Sequence, residues 1–234
     1  MKAFKNDPEL QAAFIGQMEW HREQDKIVGG TYGVEFMNGD FKGCFIGCSI
    51  HSLALIQGKK LNTANHQLLE EMLDIPLALA HTGDAVFESL PPEKRPDFAV
   101  EFGRAIPLGA DLTMIVPQFI YWMLTDNVRP TRYPQFQAFI DAVVALYEEW
   151  TRTGVRPADR AYLADLADRA DLADRAYLAD LAYLAYRAYL AYLAYRADLA
   201  YRAYLADLAY LADLAYRAAQ KLIELIKMAP VAKP

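Results

Sequence analysis

Ala158-Asp-Arg-Ala-Tyr-Leu-Ala-Asp-Leu-Ala-Asp-Arg opens a tract that keeps alanine at every third position as far as Ala218. It comprises twenty Ala-x-x triplets whose middle residue is only Asp or Tyr and whose last is only Leu or Arg. Asp and Tyr codons differ at one base, as do common Leu and Arg codons, so duplication of a short DNA unit would produce this alphabet without selection for any residue. Yet the 72 residues from Ala158 to Ala229 contain neither Gly nor Pro. Alanine and leucine are strong helix formers, so the composition predicts helix throughout.

Three residues advance about 300° around an α-helix, so each row of like residues slips back by roughly 60° per triplet and circles the helix in about 18 residues, or ~27 Å. No face is purely apolar. A partner following the alanine groove would need a supercoil far tighter than the ~140–210 Å pitch of two-stranded coiled coils, which disfavours an ordinary coiled coil. Support is local instead: each middle residue meets the last residue of the next triplet at i+4. Asp165 faces Arg169, Asp171 faces Arg175, Asp198 faces Arg202 and Asp213 faces Arg217, each with the acid N-terminal to the base. The tract is read either as one rod of about 105 Å for its roughly 70 residues or as several helices folded back on one another.

Asp and Arg recur too often for a transmembrane span. From Arg156 to the end there are 11 basic and 10 acidic residues, a net of +1, with no basic face to hold a membrane surface. All twelve glycines lie at or before Gly154, so the domain boundary is placed at Thr153-Gly-Val-Arg-Pro157, dividing residues 1–155 from 156–234. The first part carries 13 basic and 20 acidic residues, a net of −7, which argues against nonspecific binding of nucleic acid. The start, Met1-Lys-Ala-Phe-Lys-Asn-Asp, has no apolar secretion signal, so a cytoplasmic protein with its two cysteines as thiols is expected.

Residues 1–155 read as a mainly α-helical globular domain. Asp7-Pro8 opens a helix to about Lys26 with Leu10, Phe14 and Met18 on one face. Further helices are predicted near 64–73, 76–90, 96–105 and 111–125, the last kinked or started by Pro117, and from Pro134 to about Thr151. One segment breaks the pattern. Between Thr31 and Ile46, Asn38-Gly39 suits a two-residue type I′ turn, predicting a β-hairpin with Phe36 opposite Phe41 and Glu35 opposite Lys42.

The hairpin runs into Gly47-Cys48-Ser49-Ile50-His51, predicted to open a helix ending near Gly58. A cysteine at a helix N-terminus gains thiolate character from the dipole, so Cys48 is a candidate nucleophile, with His51 or His21 as base and Asp84 to orient the imidazole. Free cysteine is more often simply buried, and that reading carries the greater weight. Cys44, Cys48 and His51 also offer zinc ligands within eight residues, with His21 or His66 to complete a tetrahedron. The three-residue Cys-x-x-x-Cys spacing departs from the usual knuckle, so zinc is the minor reading and no cofactor is expected. His21 continues an apolar face and reads as a hydrogen-bonded core histidine. His81 and Asp84, at i and i+3, read as a solvated pair.

Glu19-Trp-His-Arg-Glu-Gln-Asp-Lys-Ile, Lys42-Gly-Cys-Phe-Ile-Gly-Cys-Ser-Ile-His-Ser, Gly83-Asp-Ala-Val-Phe-Glu-Ser-Leu-Pro, the alanine repeat and the closing Lys221-Leu-Ile-Glu-Leu-Ile together resemble a group of uncharacterised bacterial and bacteriophage proteins. The resemblance implies a phage or prophage context and brings no activity with it. The tract's alphabet is narrower here than the group's mixed Ser/Ala/Trp versions. The sequence reading is therefore a non-catalytic cytoplasmic protein acting through a protein partner or self-association, the alternative being a thiol-dependent hydrolase or transferase using Cys48.

Overall fold

The computed structural model describes residues 1–36, 40–127, 134–155 and 197–231. The protein is mainly helical with one small antiparallel hairpin. Helix α1 (Pro8–Glu23) starts where Asp7 accepts from the amides of Glu9 and Leu10 at 2.9 and 3.1 Å. Pro8 occupies the first helical position, where its missing N–H leaves no bond unmade. It stops three residues short of Lys26, Asp25 turning to φ 55°. After strands β1 (Val34–Glu35) and β2 (Phe41–Lys42) come α2 (Phe45–Gln57), α3 (Gln67–Leu73), α4 (Leu77–Ser89) and α5 (Arg95–Ala105). Next are α6 (Ile115–Trp122), a π-helical turn at Met123–Asn127, α7 (Pro134–Thr153) and α8 (Ala197–Lys227).

Three boundaries correct the sequence reading. Helix α6 begins at Ile115, not 111, because Asp111 accepts from the Thr113 amide and hydroxyl in a local turn; Pro117 falls in its first turn, where a proline costs no hydrogen bond. Helix α2 begins at Phe45, so Cys44 takes the N-cap position and Cys48 sits a full turn inside, its amide bonded to the Cys44 carbonyl at 2.8 Å. The hairpin pairs Glu35 with Phe41 and Val34 with Lys42, one residue out from the expected register. Phe36 donates to the Asp40 carbonyl, so three residues separate the strands there instead of two. The slip leaves Phe36 exposed and buries Phe41 on His51, 4.0 Å away and nearly parallel. The Asn38-Gly39 turn itself lies outside the described residues.

The chain forms two compact units, Met1–Phe119 with Ala212–Pro234, and Ile120–Leu211. In the first, α2 is the central element: Phe45, Ile46, Cys48, Ile50 and Leu53 are all buried, and it packs against α1, α4 and α5. The Phe45 ring meets Phe102 edge-on at 4.8 Å. Gly83 lets α4 come close, since a Cβ there would stand 2.9 Å from Phe102 and 3.1 Å from Phe45.

The end of α8 belongs to this same unit. Ala215, Ala219, Leu222 and Ile226 are buried, followed by Ala229. These positions step by four, three, four and three residues, a straight helical seam that replaces the rotating triplet at Ala218-Ala219. The docking and the change of period coincide. Beyond the helix the Asp111 amide donates to Pro230 O at 2.7 Å, and Ala110 bridges Val231. On its solvent side Asp213 meets Arg217 at 3.0 Å as the i,i+4 pattern predicts. The pairs at 165/169 and 171/175 lie outside the described residues, and so does the choice between rod and folded-back helices.

In the second unit, α7 stacks Tyr147 on Trp150, and Gly154 ends it at φ 69° with its amide on the Trp150 carbonyl. Among the described residues no helix is long and apolar enough to cross a membrane.

Candidate functional site

Two clusters flank the start of α2. The first is built from α1, the hairpin and α2. The His21 Nδ1–H donates to the Gln17 carbonyl at 2.8 Å, because a carbonyl can only accept. That fixes His21 Nε2 as an acceptor for His51 Nδ1–H, 2.9 Å away. Burial drives the His21 pKa down to about 4 and lowers that of His51. The pair is neutral at physiological pH.

Cys48, 0% exposed, stands three residues before His51 on α2 with its thiol directed to backbone: Sγ donates to Gly43 O at 3.3 Å and Lys26 O at 3.6 Å. Burial pushes its pKa up to about 12, Cys44 adding to the shift. The dipole argument for Cys48 fails because the residue lies past the first turn, and His51 directs its Nδ1 at His21. Asp84, the expected orienter of His21 or His51, hydrogen-bonds His66 Nε2 instead, at 3.1 Å. His81 stacks on the His66 ring at 4.3 Å.

The second cluster surrounds Cys44. The stretch Thr31–Tyr32 passes directly over the first turn of α2, where the Cys44 amide donates to Thr31 O at 2.6 Å. Only glycine fits at position 47, since a Cβ would be 1.9 Å from the Tyr32 carbonyl oxygen. From the other side α4 contributes Asp84 and Glu88, one turn apart on the same face. Glu88 Oε1 is fixed by the Gly30 amide at 2.9 Å, while Arg95 clasps the end of α4 through Glu88 O and Leu90 O.

Cys44 Sγ and one oxygen from each of Asp84 and Glu88 all lie within 4.8 Å of one another. They line a cavity of about 270 Å³ with Gly30, Thr31 and Tyr32. Burial, reinforced by Asp84 and Glu88 against the pull of the Gly47 amide, raises the Cys44 pKa to about 12. The same carboxylates, Asp84 foremost, raise that of Tyr32. The site is thus electronegative and holds a protonated thiol.

Of the residues read as candidate ligands, the fold leaves Cys48, His51 and His21 in the neighbouring cluster; Cys44 joins Asp84, which the sequence offered as an orienter of imidazole and not as a ligand, with His66 behind Asp84. Glu88 and Tyr32 were missed. The signal for Glu88 was present in the sequence, as Asp84 and Glu88 stand at i and i+4 in a predicted helix; Tyr32 depends on a loop path no periodicity encodes. No family model matches this chain, and neither a curated protein nor a solved structure does.

Proposed function

We propose that the protein is non-catalytic and cytoplasmic, that its first unit is a mount for the alanine-repeat helix, and that the repeat associates with a second copy of itself. The observation that carries this reading is the root of α8: Ala215, Ala219, Leu222 and Ile226 are buried in the first unit, where the period changes from three to a straight seam. Placed on a helix, the triplets before it would spread Tyr and Leu around the whole circumference and offer no strip to a single neighbour. Their near-balanced charge lets like tracts meet without repulsion, and alanine at every third position permits close approach. The resemblance to a group of uncharacterised bacterial and bacteriophage proteins is the ground for proposing a phage-associated setting. Against the thiol-enzyme alternative stands the state of Cys48, protonated and bonded to carbonyls.

Deleting residues 161–196 removes twelve triplets, and 36 residues at 3.6 per turn keep the phase of any helix that runs through them. Static light scattering on the full chain is expected to give a mass that climbs above 26.4 kDa with concentration, while the deleted chain stays monomeric with an unchanged unfolding transition. A full chain monomeric across the concentration range, or a deleted chain that associates equally, overturns the proposal.

A further inference from the structure

We propose that Cys44, Asp84 and Glu88 form a binding site for one divalent cation of the zinc class. The three side chains come from two elements far apart in sequence, yet their donor atoms converge within 4.8 Å on a cavity of about 270 Å³. Cys44 is 1% exposed and lines this cavity. An independent observation points to a ligand: Asp84 Oδ1 is buried and has no hydrogen-bond partner among the described residues. A buried carboxylate oxygen left bare is costly, and a cation is the partner that such an oxygen, a thiol and a second carboxylate have in common.

The surroundings fit that role. His66 Nε2 takes the other oxygen, Asp84 Oδ2, at 3.1 Å and leaves Oδ1 without a protein partner, as an outer partner orients a ligating carboxylate. His66 is itself held between the rings of Tyr32 and His81. Glu88 is set by the Gly30 amide at Oε1 and by Arg95 Nη1, 3.8 Å from Oε2, so both acids are positioned before any ion arrives and an ion must compete with Arg95 for Glu88. The donor set selects the ion. Magnesium and calcium favour all-oxygen shells, whereas one sulfur with two carboxylate oxygens suits zinc or cobalt, with an open position for water. Binding is a proton exchange: the Cys44 S–H bond breaks, the S–metal bond forms with the same electron pair, and the proton leaves to solvent. Affinity below the thiol pKa therefore rises about tenfold per pH unit.

Full-length protein stripped with a chelator and titrated with Co²⁺ tests this directly. One equivalent is expected to bind and to produce a thiolate-to-cobalt charge-transfer band in the near ultraviolet, with affinity increasing about tenfold per pH unit. Cys44→Ser should abolish the band, Asp84→Asn should weaken binding at least about tenfold, and Cys48→Ser should change neither. Absence of the band in the wild-type protein overturns the proposal whatever the variants do, as does a band that survives Cys44→Ser or disappears in a folded Cys48→Ser. Should Cys44→Ser fail to fold, Asp84→Asn decides with both thiols in place: undiminished affinity there is contradictory.

Discussion

His51 Nδ1 lies 2.9 Å from His21 Nε2, and the Gln17 carbonyl behind His21 leaves only one arrangement of protons for the two rings. A second proton on His21 would set N–H against N–H across that contact unless His51 shifted its own proton to Nε2. Burial already holds the His21 pKa at about 4 against an ordinary 6.5. The unfolded chain therefore binds this proton more readily throughout that interval. Stability is full above pH 6.5 and falls as the pH drops toward 4, by on the order of 3 kcal/mol for this group, and His51 acts with the same sign. Urea unfolding of the wild type and of His21→Gln, each at pH 7 and pH 5, should show the larger acid loss in the wild type; equal losses would remove His21 as the cause.

The two thiols give a separate expectation. With pKa values near 12, Cys44 and Cys48 hold about one part in ten thousand of thiolate at pH 8. Alkylation of the metal-free protein should be slower than that of free cysteine by about a thousandfold and should accelerate only with urea. Rapid modification of Cys48 in the native protein would restore the thiol-enzyme reading.

Gly47 is a steric requirement of the site. Its substitution by alanine drives a Cβ into the Tyr32 carbonyl, a backbone atom that cannot rotate away. Gly47→Ala should cost about 3 kcal/mol, at the upper end of overpacking effects, and should separate Thr31–Tyr32 from Cys44, lowering Co²⁺ affinity as well. An unchanged unfolding midpoint would mean that the loop does not pass over α2 as described.

His66 acts on the ion only through Asp84, so it is a positioning residue. His66→Ala should reduce Co²⁺ affinity by about 10–100-fold, with the charge-transfer band retained because the sulfur ligand is untouched. His66→Gln, which keeps a donor, should recover part of the loss. Loss of the band itself in His66→Ala would assign His66 to direct coordination.

Most helices could be read from the chain because their signals are local: Asp7-Pro8 caps α1, Gly58 in the left-handed region closes α2, and the apolar positions of α4 and α5 recur at helical spacing. The hairpin register could not. It is set by the burial of Phe41 on His51 and the Lys26–Asp40 ion pair at 2.7 Å, both long-range. The start of α2 was misplaced for a related reason: Gly43 pairs with the Lys26–Val28 segment, which fixes Cys44 as the cap. The site was half legible, since Cys44, His66 and Asp84 were already singled out, but their grouping follows from α4 crossing α2 and not from spacing.

The seam from Ala215 to Ala229 is where sequence period and packing meet, and its removal tests most directly whether the repeat is rooted in the fold. Leu222 alone, 0% exposed, should cost about 2–5 kcal/mol when cut to alanine. The decisive measurement is urea unfolding, followed by circular dichroism, of a chain ending at Leu211 beside the full protein. Loss of the cooperative transition, or a midpoint lowered by several times the Leu222→Ala effect, is expected. A truncated chain that unfolds cooperatively at the midpoint of the full protein would contradict the rooted helix and the function built on it.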